Sequence, residues 1–68
     1  MSNYKIENGV LTWVEPSLDM LDLSGTQVAS IAPGVLPASL RGLFLSGTQV
    51  SEINRSAIRQ EIPGIYVS

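Results

Sequence analysis

Six residues of this chain occur twice without change. Leu23-Ser24-Gly25-Thr26-Gln27-Val28 returns as Leu45-Ser46-Gly47-Thr48-Gln49-Val50, an offset of 22 residues. The register extends beyond the identical block, because Leu18, Leu21 and Leu23 map onto Leu40, Leu43 and Leu45, and Ile31 maps onto Ile53. The same offset applied again reaches Ile62, Ile65 and Val67, so a third, truncated unit is expected to supply one more strand. A period in this range marks a chain built from stacked supersecondary units, none of which buries its apolar face alone.

Within each unit, apolar residues alternate over a short stretch. Leu21 and Leu23, like Leu43 and Leu45, are expected to point inward from a strand, since side chains alternate faces with period two. Parallel pairing of successive strands then builds a continuous core, closed after each Ser-Gly-Thr-Gln turn by Val28 with Ile31 and by Val50 with Ile53. Gly25 and Gly47 are expected in a backbone conformation that a β-carbon would obstruct. The return paths differ. Ala32-Pro33-Gly34-Val35-Leu36-Pro37 predicts an irregular loop or a 3₁₀ turn. Asn54 is expected to cap a short helix running to about Glu61, with Ala57 and Ile58 facing the core and Pro63 stopping it.

The segment Leu36-Pro37-Ala38-Ser39-Leu40-Arg41-Gly42-Leu43-Phe44-Leu45 resembles the L-P-x-S-L-x-x-L-x-L stretch of short bacterial-type leucine-rich repeats. The resemblance covers roughly residues 16–68. One departure is Thr26 and Thr48, which stand where that family usually carries asparagine, so threonine hydroxyls would replace its buried amide ladder. The resemblance implies an α/β fold, a minimal leucine-rich-repeat solenoid with a short parallel sheet and one short convex-side helix. It also implies that the concave strand face is the partner-binding surface.

Residues 1–15 precede the repeat. Asn8-Gly9 between two alternating runs is a strong hairpin signal. A two-residue loop there would pair Glu7 with Val10, Ile6 with Leu11, Lys5 with Thr12 and Tyr4 with Trp13. Tyr4, Ile6, Leu11 and Trp13 would then share one face. Such a hairpin is expected to cap the first repeat, and residues 1–68 would form one domain.

Size and composition narrow what that domain does. A chain of 68 residues lies near the lower limit for independent folding. With no cysteine and no histidine, disulfides and the usual zinc frameworks are unavailable, as are a thiolate nucleophile and the commonest general base. No serine has an obvious activating base, and the Ser-Gly-Thr turns lack the Gly-Lys-Ser/Thr ending of a phosphate loop. Asp19 with Asp22 is the nearest carboxylate pair, and two solvated carboxylates at a strand are the favoured reading. No enzyme activity, cofactor or metal is therefore expected. The formal net charge of −2 argues against phosphate-backbone binding and fits a protein partner. No stretch reaches the ~18 apolar residues of a membrane span, and the N-terminus lacks signal-peptide regions. The expected site of action is the cytoplasm, that of a host cell if a phage encodes the chain.

The candidate site lies between the inward leucines. Asp22, Phe44 and Tyr66 occupy equivalent outward positions at the 22-residue spacing. Met20, Gly42 and Gly64 flank them on one side, and Ser24, Ser46 and Ser68 on the other. Aromatics are common interface anchors; the competing reading is that Phe44 and Tyr66 simply cover each other across the sheet. The last strand, residues 64–68, also presents an edge that is either an aggregation liability or suited to a partner's strand or to homodimerisation; the competing reading is disorder of the last few residues. Arg55 and Arg59, one helical turn apart, could meet an acidic partner, though a solvated convex surface is favoured.

Two jobs fit. In size, charge and lack of chemistry the chain resembles small phage inhibitors of the anti-CRISPR type, which implies a monomeric, stoichiometric blocker of a larger complex. The other job is a leucine-rich-repeat adaptor or self-associating structural module. A designed or truncated repeat without a biological partner is a third class.

Overall fold

A computed structural model describes residues 2–68. Over these residues the chain is a mixed α/β fold of six strands in two sheets with one helix: β1 (Tyr4–Glu7), β2 (Val10–Val14), β3 (Met20–Asp22), β4 (Ser30–Ile31), β5 (Gly42–Phe44), α1 (Glu52–Glu61) and β6 (Tyr66–Val67). One sheet runs β3-β5-β6, with both pairings parallel. The other runs β1-β2-β4. A single short parallel sheet was the sequence expectation; the hairpin and the residues after the first turn add the second.

Asn8 and Gly9 take positive φ values of 52° and 78°, the left-handed pair that a tight hairpin turn requires. The expected register holds for Glu7 with Val10 and Ile6 with Leu11, and then breaks. A bulge sets Lys5 opposite Trp13 and Tyr4 opposite Val14, and the extra residue Thr12 donates its hydroxyl to the Lys5 carbonyl at 3.2 Å. The bulge exchanges the faces of the residues beyond it. Val14 is buried where Trp13 was expected, and Trp13 stands exposed. The hairpin docks through parallel pairing of β2 with β4, tightened where the Gly9 carbonyl accepts from Ala29 N and Ser30 N at 2.7 and 3.1 Å. It thus covers one flank of the repeats and leaves β3 as an edge of its own sheet.

The identical hexapeptides stack. Leu23 N donates to Phe44 O and Gly25 N to Ser46 O, each at 2.9 Å, so backbone bonds join the two turns. The threonines act within their own turns: Thr26 and Thr48 donate their hydroxyls to the carbonyls of Leu23 and Leu45 at 2.7 and 2.6 Å. Gly25 and Gly47 have φ of 74° and 76°, a region costly for side-chain-bearing residues.

β3 and β5 pair at the expected 22-residue offset, Met20 with Gly42 and Leu21 with Leu43. The third strand does not follow. Gly42 lies opposite Tyr66 and Leu43 opposite Val67, an offset of 24. Two extra residues are taken up because the second return path is helical. A helix advances about 1.5 Å per residue against about 3.3 Å for extended chain, so it needs more residues to cover the same span.

The helix starts earlier than expected. Ser51, not Asn54, is its N-cap, with the Ser51 hydroxyl accepting from Asn54 N at 3.1 Å. Asn54 points instead at β4. Its side-chain oxygen accepts from Ile31 N at 2.8 Å and its amide donates to Ile31 O at 3.1 Å, as a neighbouring strand would. Ile58 faces the core as expected, whereas Ala57 is exposed. Ile53 is 85% exposed rather than closing the core, because the first helical turn begins before it and turns it outward.

The core draws on every part of the chain: Leu11 and Val14 from the hairpin, Leu21, Leu23, Leu43 and Leu45 from the repeats, and Val28, Ile31, Leu36, Leu40, Val50, Ile58 and Ile65 from the turns and return paths. Among the described residues, no helix is long and apolar enough to cross a membrane.

Candidate functional site

The outward face of the β3-β5-β6 sheet carries the candidate residues, in an altered arrangement. Asp22 and Phe44 are cross-strand neighbours, as the repeat predicts. Tyr66 is not the third member of their row; the 24-residue offset places it beside Gly42, in line with Met20. A slip of two residues preserves the face, whereas a slip of one would have turned Tyr66 into the core. Gly64 lies before the strand with φ of 89°, outside the row expected for it.

The resulting face has two rows. Met20, Gly42 and Tyr66 form one; Asp22 and Phe44 lead the other, with Ser68 following Val67 beside it. Gly42 explains how the large residues fit. A β-carbon on Gly42 would lie 2.7 Å from Met20 Sδ and 3.7 Å from Phe44 Cζ, so the methionine lies across the space that glycine leaves. The Phe44 and Tyr66 rings approach on the diagonal, with centroids 5.7 Å apart and planes tilted by 53°. This is a favourable aromatic geometry, and a thioether beside it adds to the attraction. The covering contact between the rings therefore exists, yet it does not bury them: Tyr66 remains 60% exposed and Met20 52%, while Phe44 is half-buried.

The polar members border this apolar centre. Asp22 accepts from Ser24 N at 2.9 Å, closing a small turn at the end of β3. The Ser24 backbone N–H, and after it the Ser24 hydroxyl, hold the Asp22 carboxyl below the usual carboxylate range. Asp22 thus stays ionised and partly satisfied on an exposed rim. Ser24 and Ser46 are exposed beside the stacked glycines.

The two arginines do not form a free pair. Arg55 donates Nε to Val50 O at 3.2 Å and Nη1 to Ser68 O, which ties α1 to the chain beyond β6. Arg59 bonds to Glu52 at 2.9 Å along the helix surface. Sequence reasoning missed Gly42 and Asn54 as shaping residues. Gly42 had a legible signal, a glycine set between two large outward residues; Asn54 read as a helix cap, and only the tertiary packing shows its other role.

Among the described residues there is no enclosed pocket and no cluster of three or more carboxylates that could hold a metal ion. The site is an open, gently apolar surface. Comparison with protein-family models, with curated proteins and with solved structures found no match.

Proposed function

We propose that this chain is a minimal leucine-rich-repeat solenoid that binds a protein partner stoichiometrically and without catalysis. Its contact surface is the outward face of the β3-β5-β6 sheet. The repeat reading is supported by parallel pairing at a 22-residue offset and by the backbone bonds between its two identical turns.

One observation carries the binding reading: two large side chains, Met20 and Tyr66, stand more than half exposed beside Phe44 on a face that rigid backbone pairing holds open. A folded chain this small has little apolar surface to leave in water, and aromatic groups on a rigid support make efficient contact anchors. Asp22, Ser24 and Ser46 supply a polar rim. The consequence for the partner is occlusion of the covered surface, the mode of action of a small inhibitor of a larger complex.

A pull-down comparing the wild-type chain with Phe44→Ala and Tyr66→Ala tests the assignment. Both substitutions should lower partner recovery, each by a factor of ten or more if the rings are anchors of at least about 1.4 kcal/mol. Equal recovery by all three folded proteins removes this face from the reading.

A further inference from the structure

The β3-β5-β6 sheet has two unpaired edges, and their hydrogen-bonding groups match each other. Gly42 N donates to Asp19 O and Leu23 N to Phe44 O, so the odd-numbered residues at β3 bond toward β5. Met20 and Asp22 consequently turn their backbone N–H and C=O outward. At the other edge, Tyr66 N donates to Arg41 O and Ser68 N to Leu43 O. Val67 is the residue whose N–H and C=O face away from β5.

We propose that the partner fitting these edges is a second copy of this chain, with β6 of one molecule pairing in parallel with β3 of the next. Val67 then sits opposite Leu21 of the second copy, donating to its Met20 carbonyl and accepting from its Asp22 N–H. The inward row continues as Leu21, Leu43, Val67 and again Leu21. The outward row continues as Met20, Gly42, Tyr66 and again Met20. The contact is made by backbone groups at the sheet edges, and it also sets Tyr66 beside Met20 of the second copy on the outward face.

Charge selects this arrangement over two-fold ones. From Ile6 to Leu40 the chain carries Glu7, Glu15, Asp19 and Asp22 and no lysine or arginine, whereas Arg41, Arg55 and Arg59 lie beyond, with Glu52, which Arg59 engages, and Glu61. Antiparallel pairing of β3 with β3 would gather Asp19 and Asp22 of both copies at one junction. Pairing β6 with β6 would do the same to Arg55, which is held at the Ser68 carbonyl. Head-to-tail pairing sets Ser68, with its guanidinium, opposite Asp22 of the second copy. Opposite charges then meet at the junction, and like charges are kept apart. Such a contact is heterologous and does not close on itself, so it extends with concentration.

Sedimentation velocity on the 68-residue chain tests this. The mean mass of the wild type should rise with concentration past that of a dimer and fall back as salt is added. Val67→Pro removes the outward N–H of β6 that donates to the Met20 carbonyl, and Asp22→Pro the outward N–H of β3 that donates to the Val67 carbonyl. Each variant alone should remain monomeric, while their equimolar mixture should form a dimer and nothing larger. A wild type that stays monomeric throughout overturns the proposal. So does self-association of either proline variant, or a mixture of folded variants that stays monomeric. Asp22→Lys, at an exposed position, provides a test that does not depend on proline being tolerated: it should shift assembly to higher concentration, and an unchanged mass profile also overturns the inference.

Discussion

Asn54 performs with one side chain what a strand performs with its backbone. The buried Ile31 has β2 on one flank, and the Asn54 amide satisfies both its N–H and its C=O on the other. A buried backbone group without a partner costs about 1–3 kcal/mol. Asn54→Ala should therefore destabilise the fold by about 2 kcal/mol or more in urea denaturation. Asn54→Asp keeps the acceptor but loses the donor, and should fall between the two. Gly42 predicts the opposite pattern. A methyl there meets Met20 Sδ and Cε, the free end of a flexible side chain, so Gly42→Ala should cost less than about 1 kcal/mol while displacing Met20 across the face. Its signature is a shifted methionine methyl resonance at nearly unchanged stability. Asp22 adds a pH dependence. Its folded pKa lies below the unfolded one, so its contribution is complete above the ordinary carboxylate range and is lost as pH falls through the lowered value. Asp22→Asn should flatten the acid side of the melting-temperature profile below about pH 4.

At the scale of elements, the parts legible in the sequence were those fixed by short-range periodicity. The repeated leucines, the Asn8-Gly9 turn, the irregular first return path and the end of α1 at Glu61 all follow from local spacing. Register was legible only while the return path kept its length. The first return is a loop and preserves the 22-residue offset; the second is helical and adds two residues, which moved Tyr66 from the Asp22–Phe44 row to the Met20–Gly42 row. The hairpin shows the same limit, since one bulge residue, Thr12, exchanges the roles of Trp13 and Val14. That exchange is testable. Val14→Ala removes two buried methyl groups and should cost about 2 kcal/mol, whereas Trp13→Ala should cost distinctly less despite the larger deletion. Equal or reversed losses in denaturant titration would mean that the hairpin pairs without the bulge.

For the whole molecule, the question is whether two sheets that share no strand behave as two units or one. Their core argues for one. Leu11 in the hairpin is fully buried, and it belongs to a single cluster that includes Leu43 and Leu45 from the repeats and Ile58 from the helix. Neither sheet can keep its inner face dry without the other, and a domain of this length has only a few kcal/mol in reserve, roughly 3–10 by the usual scale per residue. Trp13, the one tryptophan, reports on the hairpin, and far-UV circular dichroism reports on α1 at the opposite end of the chain. Both probes should trace the same unfolding transition, as two-state behaviour requires. Leu11→Ala should cost about 2–5 kcal/mol and lower both transitions together, because the cavity it opens lies in the core that the sheets share. If the tryptophan signal moved while the helical signal stayed in place, the hairpin would be a separable attachment, and the repeats would own a core sufficient for themselves.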